Sequence, residues 1–112
     1  MPVPVPGSVV LFNFPGARQT KPRPVVVVST DVYHSSRPDL ILGLLTTQLS
    51  DATGPTDYVL QDWPAAGLAS PSAFRAFLAT LPAAGMIRAI GRLSDRDWKE
   101  IQARLRAALA VT

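Results

Sequence analysis

The chain has 112 residues, no cysteine, a formal net charge of +3 and a sequence pI near 10. That length suits a single domain with one core needing no disulfide or metal staple, and the absence of cysteine gives no sign of an oxidising compartment. No stretch approaches the roughly 20 apolar residues that cross a bilayer, and the opening MPVPVPGSVVLFNF lacks the basic flank of a signal peptide, so the expectation is a cytoplasmic protein with no membrane partner.

Short β-branched runs predict strands near 7–14 (GSVVLFNF), 24–30 (PVVVVST), 39–46 (DLILGLLT), 57–62, 71–79 and 86–92 (MIRAIGR), separated by loops rich in Pro, Gly, Ser and Asp. The links are too short for crossover helices, which points to a small, strongly bent β-barrel of five to seven strands rather than a parallel sheet. In the first strand Val10, Phe12 and Phe14 share one face and Val9 and Leu11 the other. Both faces are apolar, and the valines at 25–28 repeat the pattern, so these strands are expected to be covered twice, by the terminal helix or by another copy of the chain.

The last segment switches to helical spacing. Ser94 is a suitable N-cap, Asp97 stands three residues on as a capping-box variant, and Asp95 and Asp97 place negative charge in the first turn. Trp98, Ile101, Leu105, Ala108 and Leu109 form an apolar stripe, read as core packing that closes the barrel.

Chemistry is narrowed by what the chain does not carry. His34 is the sole histidine, and the eight carboxylates show no ligand spacing, so neither a metal nor another cofactor is expected. His34 sits in DVYHSSRPDL without an evident partner and reads as a loop residue, which disfavours a serine nucleophile with a histidine base. FPGARQTKPRP has one glycine and no following helix, unlike a phosphate-binding glycine loop.

Positioned cations and hydroxyls remain. Nine of the eleven basic residues are arginine, whose planar fork matches phosphate oxygens and stacks on bases, although a GC-rich genome would produce the same bias. In KPRPVVVVST, Arg23 stands between Pro22 and Pro24, so its guanidinium rides on a stiff backbone that runs into an apolar strand. Thr46 and Thr47 end another apolar strand, and Arg75 lies among apolar neighbours in SAFRAFL, where burial is costly unless the cation faces an anion or a cleft. Each also has a plainer reading: Arg23 as a turn residue, Thr46 as a hydroxyl satisfying backbone, Arg75 as half of an ion pair.

Taken in order, GSVVLFNFPG, KPRPVVVVSTD, LLTTQ, GLASPSAFRAFLATL and IGRLSDRDWKEI resemble the MazF/PemK family of toxins from bacterial toxin–antitoxin systems, across nearly the whole chain. The resemblance implies an SH3-like barrel with a C-terminal α-helix, a homodimer, and a metal-independent, sequence-specific endoribonuclease that cuts single-stranded RNA. It implies a cognate acidic antitoxin. Arg23 matches the family's catalytic arginine, Thr46 its active-site threonine, and Arg75 an arginine used by some members. Arg18, Gln19, Lys21, Thr47 and Gln48, in the loops at 15–22 and 47–56, become candidate RNA contacts. Two departures are visible: Phe77 where some members carry an acidic residue, and Ser8 where an aspartate is usual. Phe77 keeps a second reading open, a non-catalytic module binding nucleic acid or protein; a poison of another target, such as a topoisomerase, is permitted by the barrel but supported by no residue.

Overall fold

A computed structural model describes residues 3–15 and 19–111. Six strands form one antiparallel sheet: β1 (Ser8–Pro15), β2 (Thr20–Val27), β3 (Asp39–Thr46), β4 (Tyr58–Val59), β5 (Ala73–Pro82) and β6 (Met86–Arg92), in the spatial order β4-β5-β3-β2-β1-β6. A short helix, α1 (Asp31–Ser36), joins β2 to β3, and α2 (Asp95–Ala108) follows β6. The sheet curls into a half-barrel, the strongly bent form expected from the strand pattern and the SH3-like one that the family resemblance implies.

The curl divides the apolar residues between two faces. Val9, Val26, Leu45 and Phe74 pack on one side with Tyr58, Leu60 and Ile101, and α2 lies over them. Val10, Phe12, Phe14, Val25, Val27, Leu40 and Leu42 fill the other, against Ala79, Leu81 and Met86. The double cover inferred from the valine run therefore exists within one chain: the helix supplies one lid, and the sheet folding over itself supplies the second. Burying Ile101 completely contributes about 1.5–3 kcal/mol.

The helix begins as its sequence dictates. Ser94 Oγ accepts from Asp97 N–H at 3.2 Å. The Asp97 carboxylate, however, turns away from the cap. It is wholly buried and accepts from the Tyr58 hydroxyl (2.6 Å), Gln61 N–H (3.1 Å) and Asp62 N–H (2.8 Å), tying the irregular 60–67 segment to the helix. The apolar stripe also ends sooner than its spacing suggests, since Ala108 is exposed and Leu109, 44% exposed, lies past the helix end.

Three local expectations are corrected. The strand expected at 57–62 is reduced to Tyr58–Val59, because after Leu60, whose N–H still donates to the Ser72 carbonyl, the amides of Gln61 and Asp62 donate to Asp97 rather than to a ladder. The strand expected at 24–30 begins at Thr20, paired along β1, and ends at Val27. Residues 31–36 form α1 rather than a loop, capped by Thr30 Oγ1, which accepts from Tyr33 N–H at 3.3 Å. His34 consequently has a partner: its Nε2 hydrogen-bonds Ser29 Oγ, and Asp31 lies 3.9 Å from its Nδ1. The residue types are those of a hydrolase triad, but Ser29 is 3% exposed and its oxygen accepts from Ile41 N–H, so the group braces α1 against β3.

Candidate functional site

β2 and β3 carry the site by register. Val25 pairs with Leu44, and residues two apart share a sheet face, so continuing both strands brings Arg23 opposite Thr46. Both lie at the end of the face filled further along by Val25, Val27, Leu42 and Leu40. The apolar residues hold the backbone, and the polar ones begin where the sheet opens. There the protein forms a hollow of about 220 Å³ lined by Lys21, Arg23, Thr46, Thr47, Gln48 and Ser72, with Pro22 and Pro24 in its wall.

Within the hollow the cation lacks a counterion. Arg23 is half-buried, and among the described residues no carboxylate lies within 4 Å of it. Its Nε is enclosed without a hydrogen-bond partner. Arg23 also pairs across the β1–β2 hairpin with Phe12, a fully buried residue, which fixes the backbone from which the side chain departs. An enclosed guanidinium N–H with no acceptor is costly unless an anion arrives. Thr46 Oγ1 accepts from Gln48 N–H at 3.0 Å, so the backbone-satisfying role and the wall position coexist, and the hydroxyl hydrogen has no acceptor among the described residues. Ser72 was not legible as a site residue; it enters because the segment before β5 lies beside Thr46, which pairs with Ala73.

The remaining sequence candidates divide. Lys21, Thr47 and Gln48 join Arg23 and Thr46 in the hollow, whereas Gln19 is exposed just ahead of β2 and is not part of its lining. Arg18 lies outside the described residues. Arg75 opens onto a neighbouring hollow of about 240 Å³ with Leu44, Thr56, Asp57, Ala76 and Phe77. There its Nε donates to Asp57 Oδ1 at 3.2 Å, so the ion-pair reading holds, yet the side chain stays 41% exposed. Asp57 is nearly buried and also accepts from Gly54 N–H, so the carboxylate is fixed by its own turn and aims the arginine. Arg75 pairs with Leu44, two residues from Thr46 on β3, which puts the second hollow on the same sheet face as the first.

On the far side of the sheet, Asp62 accepts from Arg96 at 2.6 and 2.7 Å and from the Ser94 hydroxyl at 2.6 Å. The Arg96 guanidinium, with Ser94, pulls the Asp62 carboxyl down to about 2. Among the described residues no three His, Asp or Glu side chains converge as metal ligands would, and no helix is long and apolar enough to cross a membrane.

Comparison with known families decides the grouping. The family of PemK-like, MazF-like toxins of type II toxin–antitoxin systems matches residues 6–109. The chain belongs to this family. No curated protein sequence matches it. Among solved structures, this family member superposes on an endoribonuclease from a mycobacterial species with a TM-score of 0.79 at 21% identity, covering 99% of this chain and 95% of the other. A MazF from Deinococcus radiodurans gives 0.77 at 20% identity, over 99% and 100% of the two chains. A mycobacterial endoribonuclease in complex with its cognate antitoxin gives 0.77 at 20% identity, over 100% and 98%. At these identities the likeness is one of fold.

Proposed function

We propose that this toxin-family member is a metal-independent, sequence-specific endoribonuclease acting on single-stranded RNA, with the scissile phosphate seated in the Arg23–Thr46 hollow. The observation that carries the reading is the enclosed, unpartnered Nε of Arg23 in a hollow whose only described cations are Lys21 and Arg23. The endoribonuclease relatives of the same fold support it.

The chemistry follows from the donors. The RNA 2′-oxygen attacks the adjacent phosphorus and forms the O2′–P bond while the O5′–P bond breaks, giving a 2′,3′-cyclic phosphate and a 5′-hydroxyl. The proton leaves the 2′-hydroxyl and one is delivered to the 5′-oxygen. Negative charge gathers on the nonbridging oxygens between these events. Arg23, preset by its two prolines, donates to that charge, and Thr46 adds its free hydroxyl hydrogen; one such donor is worth about 3–4 kcal/mol. Arg23 and Arg75 remain protonated and act as donors rather than bases. Arg75, aimed by Asp57, clamps the nucleotide beside the scissile phosphate. Lys21, Thr47 and Gln48 contact the bound strand from the hollow's wall, with Gln19 exposed just ahead of β2 and Arg18 a further RNA contact. No bound metal takes part, so chelators leave the rate unchanged.

The partners follow the same logic. A cognate antitoxin with a partly disordered acidic segment neutralises the cationic hollow by folding over it; a relative of the same fold is known in complex with its cognate antitoxin, which supports such a partner. The chain works in the cytoplasm as a homodimer. The deciding experiment incubates the purified protein with a long single-stranded RNA in EDTA. Cleavage to cyclic-phosphate ends that disappears in Arg23→Ala supports the assignment. Salt-sensitive binding without product would instead identify a non-catalytic RNA-binding module.

A further inference from the structure

Between Arg75 and Leu78 the β3–β5 ladder slips. Leu44 pairs with Arg75, but the next β3 residue, Gly43, pairs with Leu78, so Ala76 and Phe77 have no partners on β3. The irregularity pushes Phe77 outward. Its side chain is 48% exposed, in a chain whose other three phenylalanines are completely or almost completely buried. The ring is nevertheless held: it meets the buried Phe14 ring edge-on, with centroids 5.9 Å apart and planes inclined by 63°. An exposed aromatic ring fixed at its edge presents a flat face at little entropic cost.

That face borders the second hollow. Arg75 stands in the same wall with its Nε committed to Asp57, while its two terminal nitrogens have no acceptor among the described residues. Thr56 adds a hydroxyl to the lining. The occupant that fits is flat and carries hydrogen-bond acceptors along one edge. Arg75 lies two residues along the sheet from the level of Thr46, about 7 Å by strand rise, a distance one nucleotide spans.

Resting on the RNA-cleaving reading above, we propose that Phe77, Arg75 and Thr56 form a nucleobase subsite for the residue flanking the phosphate held by Arg23 and Thr46. The base stacks on Phe77, and its acceptor edge faces the terminal nitrogens of Arg75. Guanine is the best match, since its O6 and N7 accept together from one guanidinium. Phe77 is then a specificity-determining residue rather than a mere loss of an acidic group.

The test separates binding from cleavage. Fluorescence anisotropy is measured with a 2′-O-methyl oligouridine carrying one central guanosine, and with the same strand made abasic at that position; neither has the attacking hydroxyl. The protein and its Phe77→Tyr variant should bind the guanosine strand about tenfold more tightly than the abasic one, whereas Phe77→Leu, which keeps apolar cover on Phe14, should bind the two alike. Arg23→Ala should weaken both strands equally. Retention of the full difference in Phe77→Leu overturns the subsite. So does the absence of any difference in the unaltered protein when Arg23→Ala still weakens binding, an outcome that spares the phosphate hollow. A Phe77→Leu defect confined to an acidic peptide would mark the ring as a protein contact and likewise overturn it. Loss of all oligonucleotide binding in the unaltered protein would remove the RNA reading and the subsite together.

Discussion

Arg23 and Thr46 leave different strands and line one hollow, although 22 intervening residues separate them and neither bonds the other. Their juxtaposition follows from the Val25–Leu44 pair two residues further into the sheet. Arg23 Nε has no acceptor among the described residues, and on the phosphate-binding reading this has opposite consequences for activity and for stability. Arg23→Met keeps the length and apolar stem while removing an enclosed donor that nothing satisfies. RNA cleavage should fall by about 10²–10³-fold, while the thermal midpoint stays level or rises. A fall in both would show that the arginine is holding the fold instead.

Thr46→Val removes the hydroxyl and preserves the shape. It also leaves Gln48 N–H without its 3.0 Å acceptor, but that group is exposed and water replaces the threonine. The expected outcome is a drop in the cleavage rate constant with little change in urea midpoint. Single-turnover kinetics alongside equilibrium unfolding checks the two halves of the statement.

Asp97 behaves differently because all its partners are internal. Asp97→Ala strands the Tyr58 hydroxyl and the N–H groups of Gln61 and Asp62. A loss of about 3 kcal/mol or more is expected, since each buried polar group left unmatched costs about 1–3 kcal/mol. Denaturant unfolding measures it directly.

The pH dependence has two flanks. Asp62 is held at about 2 in the folded chain by Arg96 and Ser94, against an ordinary value of 3.8, so its contribution is present above about 4 and is lost as the pH falls towards 2. Arg96→Ala should shift the acid unfolding midpoint upward. Tyr58 is raised, first by burial and then by its bond to Asp97, so the folded state favours the neutral phenol. That stabilisation is complete below pH 10 and disappears as the pH rises past it. Tyr58→Phe should abolish the alkaline component, seen as a flatter urea midpoint as the pH rises above about 10.

A steric prediction concerns Gly43, the residue at the ladder slip. A Cβ there would come within 2.5 Å of the buried Phe74 ring, so Gly43→Ala must displace a side chain in the core that α2 covers. About 1–3 kcal/mol of destabilisation is expected by thermal or urea unfolding. The displaced ring also disturbs the slip that presents Phe77, so base discrimination should weaken with it.

Elements whose causes are local were legible in the chain. Short apolar runs bounded by turn residues marked β1, β3 and β6 to within about a residue, and Ser94 with its helical stripe marked the start of α2. The ordered blocks around Arg23, Thr46 and IGRLSDRD also carried the family. Six residues of α1 were too few to show a period, and β4 shrank because Asp97, some 35 residues away, takes its neighbours' amide hydrogens. Likewise, no local pattern distinguishes Arg75, which Asp57 holds across the sheet, from Arg23, which nothing in the described chain holds. Sequence alone determined which side chains could bind an anion, because residue type and backbone stiffness are written in it. Which cation is left unmatched, and which is paired beside an exposed aromatic ring, was decided by strand register and by carboxylates distant along the chain, since pairing energies depend on groups that only the tertiary fold brings together.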